Sequence, residues 1–281
     1  MKFKKIYIEI TNSCNFNCSF CLSTNRDKRF LSVEEFDYIT TEVKKYSDYI
    51  YLHVLGEPML HPHFFELLDI AKRKDLFINL TTNGSLIKKY SDVFPLGVIR
   101  QCNISLHSLS DNLETNKWDD YFSSVFSFSR KHSDYTYFSF RLWNAGAEEA
   151  DGFNSLCLLK INEEWGIDLD NSVFSNRNTK IAPHIFLQNS ARFSWPNQKD
   201  LQVERKTGKR CYGLHDHIAI LSDGSVVPCC LDGAAYMKLG NIFESSIEDI
   251  LNKEESQRIK NALASGISPT NACKNCGFVM P

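Results

Sequence analysis

Along the first two-thirds of the chain, short apolar runs rich in β-branched and aromatic residues alternate with segments of helical period. That alternation admits few folds. The runs are 5–10, 49–55, 77–82, 102–106, 136–142 and 181–187, and each is bounded by polar or turn residues, as strands are. Before the second run, Ser32 stands as a helix N-cap with Glu35 three residues on, and Val33, Phe36, Ile39 and Val43 line one face, which together make a capping box and an amphipathic helix. Residues 62–74, 85–92, 119–131 and 154–165 read as further crossover helices. Crossovers between parallel strands are right-handed, so the sheet is expected to curl into an open barrel. The expected fold class is α/β, a partial (β/α)6 barrel over residues 1–190.

After about Asn189 the rhythm changes. Residues 198–210 form a polar, Lys/Arg-bearing stretch; 217–221 and 225–229 flank Ser222-Asp223-Gly224 as the arms of a hairpin. Residues 245–264 read as a helix with apolar Ile247, Ile250, Leu251 and Ile259. Residues 191–281 are therefore expected to be a linker and a small α+β domain.

Ten cysteines in 281 residues need an explanation. The basic N-terminus precedes an apolar run too short for a signal peptide and interrupted by Glu9, and no run approaches the ~20 apolar residues of a membrane span. The expected location is the cytoplasm, where disulfides are disfavoured and cysteines point to metal or redox chemistry. Immediately after the first strand, Cys14, Cys18 and Cys21 form C-x3-C-x2-C. Three thiolates on one loop can hold three irons of a cubane cluster and leave the fourth open. Zinc is the alternative, but a structural zinc site is closed by four ligands, and the polar neighbours here are Asn and Ser.

This spacing, with aromatic Phe20 before the third cysteine, resembles the motif of the radical SAM superfamily. The resemblance implies that Cys14, Cys18 and Cys21 hold a [4Fe–4S] cluster whose open iron binds S-adenosylmethionine (SAM), and that reductive cleavage of SAM gives a 5'-deoxyadenosyl radical that abstracts substrate hydrogen. Other features fall in family order. Leu55-Gly56-Glu57-Pro58 resembles the Gly-Gly-Glu motif that receives the SAM amino group, with Leu55 in place of the first glycine. Thr82-Asn83-Gly84 is similar to a family turn, Ser105 matches a serine on the SAM ribose, and Arg141 is placed to bind the SAM carboxylate. These positions lie toward strand C-terminal ends, where α/β barrels place their active sites.

Near the C-terminus, Cys211, then Gly224 and Cys229 as G-x4-C, then Cys273-Lys274-Asn275-Cys276 supply four more thiols. A zinc ribbon would use the same groups. Following a radical SAM domain, the order resembles the twitch domain, the shortened SPASM domain, which implies an auxiliary [4Fe–4S] cluster on Cys211, Cys229, Cys273 and Cys276. Cys230 adjoins Cys229, but alternation along a strand sends the two side chains to opposite faces. Cys102 and Cys157 lie on apolar stretches and read as small buried hydrophobes.

Such an architecture implies oxidation, the second cluster taking up an electron. A peptide is the favoured substrate; dehydrogenation of a small polar metabolite is the rival, and a non-catalytic Fe–S or zinc protein is the alternative from another class. Thirty-two Lys and Arg against 34 Asp and Glu give no field to concentrate nucleic acid, so RNA is the weakest substrate. A flavodoxin or ferredoxin is the expected reductant. No general acid or base is assigned.

Overall fold

The computed structural model describes residues 2–90, 94, 97–147, 150–192, 195–196, 211–274 and 276; the polar stretch 198–210 lies outside them. In chain order the elements are β1 (Lys5–Ile8), α1 (Val33–Lys44), β2 (Tyr49–Leu52), α2 (Phe64–Arg73), β3 (Phe77–Thr82), α3 (Ile87–Tyr90), β4 (Ile99–Ser105), α4 (Trp118–His132), β5 (Tyr137–Ala145), α5 (Ala150–Trp165), β6 (Asn178–Ala182), β7 (Ile185–Ala191), β8 (His217–Ile220), β9 (Ser225–Val227), β10 (Gly240–Asn241), α6 (Ile247–Asn252), α7 (Glu254–Ala264) and α8 (Asn271–Lys274). They fall into two compact units. The first comprises residues 1–15, 20–78 and 193–281, the second 16–19 and 79–192.

In the first unit β1 pairs in parallel with β2 on one side and with β8 on the other, in register from Lys5 opposite His217 to Ile8 opposite Ile220. β9 and β10 continue antiparallel from β8. Compactness thus groups the C-terminal hairpin with β1, whereas the expected division at 190/191 follows chain order. Ile6, Ile8, Ile50, Leu52, Ile218 and Ile220 are fully buried, as alternation on one sheet face requires. The stripe Phe36, Ile39 and Val43 of α1 is buried with them. The Ser32–Glu35 capping box forms as expected, the Ser32 hydroxyl accepting from the Glu35 N–H and the Glu35 carboxylate from the Ser32 N–H.

In the second unit β4 and β5 are parallel and β5 pairs in parallel with β7. The run 181–187 is not one strand. Ala182 and Ile185 face each other across a turn in which His184 has φ 59°, so β6 and β7 form an antiparallel hairpin. Pro183 supplies the reason, since it has no N–H for a ladder. Leu80, Cys102, Ile104, Phe138, Phe140, Leu142, Ile185 and Leu187 are buried, while the alternate positions on β3, β4, β5 and β7 carry Asn, Gln, Ser, Thr and Arg together with the aromatic Tyr137, Trp143 and Phe186.

The helix expected over 245–264 is broken. Lys253 adopts φ −56°, ψ 142° between α6 and α7. There the Ser256 hydroxyl donates to the Ile250 carbonyl at 2.6 Å and the Gln257 amide to that of Leu251 at 2.7 Å, replacing the bonds a continuous helix would make to the last carbonyls of α6.

Candidate active site

The loop that carries Cys14 and Cys21 is fastened at its root in the first unit. Thr11 and Phe30 form a bridge, and the Thr11 hydroxyl donates to the Arg29 carbonyl at 2.8 Å. The buried Asn12 amide donates to the Asp27 carbonyl at 2.9 Å and accepts from the Arg29 N–H at 2.9 Å. These side chains satisfy backbone groups of the loop, as a buried root requires. Cys14 and Cys21 are exposed, and the Phe20 carbonyl accepts from the Trp195 indole at 2.9 Å.

Gly56 sits against the same root. Its φ is 79°, and a Cβ there would lie 2.3 Å from the Thr11 carbonyl oxygen and 2.9 Å from that of Ser13. The next N–H, of Glu57, donates to Ser13 O at 2.8 Å. Glycine is thus required twice, by the left-handed backbone and by close approach. The Glu57 carboxylate is buried and caps the Pro58–Leu60 turn, accepting from the Met59 N–H at 3.0 Å. Gly56→Ala is expected to destabilise the chain by more than the ~1 kcal/mol of a left-handed residue alone, read by urea unfolding; a smaller loss would show that residues 11–13 yield freely.

In the second unit, Ser105 ends β4 directly opposite Arg141 on β5, so these two expected SAM contacts are brought together on one face. The Arg141 guanidinium lies 4.4 Å from the Trp143 ring centroid. Its carbonyl accepts from His107 Nδ1–H at 2.9 Å. Burial holds the His107 pKa at about 4, so the ring is neutral near pH 7. As pH falls through 6.5 toward 4 the unfolded chain takes up a proton that the folded chain refuses, and up to ~3 kcal/mol of stability is lost across that window. Urea unfolding at pH 7 and 4.5 should show this loss shrink in His107→Asn; an identical pH dependence would refute it. At the Thr82-Asn83-Gly84 turn, Tyr121 Oη donates to the Asn83 carbonyl at 2.8 Å and would lie 2.7 Å from a Cβ on Gly84.

Cys18 belongs to this second unit, where its sulfur accepts from Asn112 Nδ2 at 3.2 Å. The Asn112 side-chain oxygen accepts from the Asn17 N–H at 2.6 Å, and the Asp111 carboxylate takes both the N–H and hydroxyl of Ser19 at 2.8 and 2.7 Å. Cys18 is thus held from both flanks. Nothing in the sequence marks Asp111 and Asn112, more than 90 residues away.

The C-terminal thiols gather in part. Loss of water pushes the half-buried Cys229 thiol well up, and Cys230, Cys211, Asp232 and Cys276 act in the same direction, which places three other sulfurs within electrostatic reach. Cys230 instead shares a hydrogen bond with the Tyr7 side chain and borders the apolar cluster of Tyr7, Val54, Leu55 and Leu221. The buried Cys273 thiol donates to Met237 Sδ at 3.5 Å.

Sequence reasoning passed over Glu9 and Arg26. Glu9 is fully buried and receives a two-pronged ion pair from Arg26, Nη2 to Oε1 at 2.6 Å and to Oε2 at 2.8 Å. Its oxygens also accept from the Leu55 N–H, the Ser222 N–H and the Ser222 hydroxyl, and Arg26 Nε donates to the Gly233 carbonyl at 2.8 Å. The signal was available, a carboxylate inside an apolar strand, because such a group is buried only with a partner.

Residues 8–132 match the radical SAM superfamily and residues 211–277 the SPASM iron–sulfur cluster-binding domain. The chain belongs to the radical SAM superfamily and carries a C-terminal SPASM-type domain. Those two domains bring a SAM-binding [4Fe–4S] cluster and an auxiliary cluster. A probable GTP 3',8-cyclase of Pyrobaculum aerophilum is 25% identical over 108 residues, 37% of this chain; the match spans about a third of that relative, 35%. Among solved structures, BtrN in complex with AdoMet and 2-DOIA has a TM-score of 0.61 at 15% identity, covering 99% of this chain and 95% of that one. Streptococcus suis SuiB bound to precursor peptide SuiA has a TM-score of 0.57 at 14% identity, covering 98% and 70%. These likenesses establish the fold, an α/β sheet that does not close into a full barrel. No helix among the described residues is long and apolar enough to cross a membrane.

Proposed function

We propose that this chain cleaves SAM reductively and uses the resulting hydrogen abstraction to oxidise its substrate. The observation that carries the reading is the fastening of the C-x3-C-x2-C loop, whose root at residues 11–13 admits only glycine at position 56 and so holds the Glu57 N–H on the carbonyl of Ser13, the residue before the loop's first cysteine. The donor set fits a cubane cluster: Cys14, Cys18 and Cys21 are thiols outside any disulfide, soft ligands suited to iron–sulfur, and Cys18 already receives an N–H donor, the kind of contact that tunes a ligating sulfur. The chemistry supplied there is one-electron cleavage of the SAM carbon–sulfur bond, ending in methionine and 5'-deoxyadenosine once substrate hydrogen is taken.

In this reading Glu57 accepts from the SAM ammonium, Ser105 bonds the ribose and Arg141 forks onto the carboxylate, its backbone held by neutral His107. Cys211, Cys229, Cys273 and Cys276 hold the auxiliary cluster as an electron sink, Cys273 turning from Met237 to do so. The functional division follows chain order, 1–190 and 191–281. The protein works in the cytoplasm with a flavodoxin or ferredoxin as reductant.

A peptide substrate is the reading favoured by the architecture, and SuiB, alike in fold, is seen with a precursor peptide. Dehydrogenation of a small polar molecule is the second reading, supported by a cavity in the second unit lined by side-chain amides, a hydroxyl and aromatic rings, with Arg100 at its wall. Anaerobic reconstitution followed by dithionite and SAM tests the common core: 5'-deoxyadenosine should form, with about eight irons bound per chain, as two cubane clusters require. No 5'-deoxyadenosine from protein carrying its full iron would overturn the reading.

A further inference from the structure

On the second unit's sheet the face opposite the apolar one carries mostly polar side chains in register, with Arg141 and the aromatic Tyr137 and Phe186 among them. Gln101 lies opposite Tyr137, Asn103 opposite Ser139 and Ser105 opposite Arg141; Ser139 lies opposite Phe186 and Arg141 opposite Gln188; Gln188 lies opposite Asn178. Asn103 Nδ2 donates to the Leu80 carbonyl at 2.9 Å and reaches Thr81 Oγ1 at 3.4 Å. Two residues earlier on each strand, Asn79 therefore falls in the row of Gln101 on the same face.

This network is incomplete at its centre. Gln101 Nε2 donates to Asn103 Oδ1 at 2.7 Å, but among the described residues Asn79 Nδ2, Asn79 Oδ1 and Ser139 Oγ find no hydrogen-bond partner. Asn79 is 1% exposed and Ser139 2%. Leaving such groups without partners in a buried network is costly, and natural proteins do so mainly where a ligand or ordered water completes the set. Ser139 borders a cavity of about 180 Å³ that is also lined by Gln101, Tyr137, Asn178, Phe186 and Gln188.

The chemistry of the lining defines what it accepts. Side-chain amides and a hydroxyl each donate and accept, so the complement is a group rich in hydroxyls. No carboxylate lines the cavity among the described residues, and the one cation there, Arg100, lies over the Tyr137 ring at 5.9 Å. Tyr137 and Phe186 stack at 6.5 Å with 23° between their planes and offer an apolar flank to the C–H face of a ring. Ser139 precedes Arg141 by two positions on the same face, about 7 Å along the strand. The volume suits one small ring and not a length of peptide.

We propose that this face binds a neutral polyhydroxylated ring, a sugar or cyclitol, as the substrate. The proposal rests on the small-molecule reading above and deepens it.

Isothermal titration of the reconstituted, SAM-loaded protein tests it with four probes: myo-inositol, glucose, an acetylated glycyl-asparagine amide and inorganic phosphate. A cyclitol or sugar should bind, and Ser139→Ala and Asn79→Leu should each weaken that binding about three- to tenfold, as loss of a neutral hydrogen bond does. The same substitutions should leave the thermal midpoint of the ligand-free protein unchanged or raised, because they remove buried groups that have no partner; a structural role would lower it. Should Asn79→Leu not fold, Ser139→Ala alone decides. Binding of only the peptide amide or phosphate, binding of none, or polyol binding unaffected by Ser139→Ala would overturn the proposal. Formation of 5'-deoxyadenosine by wild type that binds no polyol would leave the SAM-cleavage reading standing and sink this one; polyol binding without SAM cleavage would do the reverse.

Discussion

Arg26→Ala should lower the unfolding free energy of the metal-free chain by about 3–5 kcal/mol at neutral pH, the typical result of removing one partner of a buried ion pair. Glu9 is fully buried, and the Arg26 side chain is 13% exposed, so water cannot replace the guanidinium. Both carboxylate oxygens lose a charged donor and keep only the Leu55 and Ser222 groups. Arg26→Lys should recover only part of the stability, since an ammonium restores charge but not the fork that also reaches Gly233. Urea unfolding followed by circular dichroism measures both. A deficit under 1 kcal/mol for Arg26→Ala is the value of an exposed pair and would refute the account. The pair ties the end of β1, the cysteine loop, the residue before Gly56, the hairpin turn and the segment after Cys230, so the same variant should loosen the loop that presents Cys14 and Cys21.

The elements that were legible in the sequence are those specified locally. Ser32 and Glu35 bond each other's backbone across three residues, and β3 is bounded as its apolar run is. Cys14 to Cys21 needed only their spacing, and Gly56 only the resemblance, although its collision with Thr11 O is what makes glycine obligatory. What escaped was set by distance or by satisfaction of backbone groups. The pairing of β1 with β8 joins segments more than 200 residues apart, and no pattern in either strand names the other. The break at Lys253 has no Pro or Gly to announce it; it follows from Ser256 and Gln257 taking the carbonyls of Ile250 and Leu251. The turn at Pro183 and the charge at Glu9 were different in kind, because each carried a local sign, a missing N–H in one and a carboxylate in an apolar run in the other.

Cys18→Ala should abolish 5'-deoxyadenosine formation while the chain still binds about four irons, the complement of one cubane cluster. Cys18 is the central thiol of the three, and its neighbours Asn17 and Ser19 are bonded to Asn112 and Asp111, so the alanine variant keeps the loop's backbone anchors and loses only the sulfur. That makes a folding defect a poor explanation for lost activity, and circular dichroism checks it. Asn112→Ala separates the ligand from its support. It removes the N–H to Cys18 Sγ and the acceptor for Asn17 but no thiol, so about eight irons should still bind, with SAM cleavage reduced roughly 10–100-fold as for other supports of metal ligands. If Cys18→Ala cleaved SAM at the wild-type rate, the first cluster would have to be held elsewhere. If it lost every iron, the C-terminal thiols would be a zinc or free-thiol site, and the oxidative half of the proposed reaction would have no electron sink.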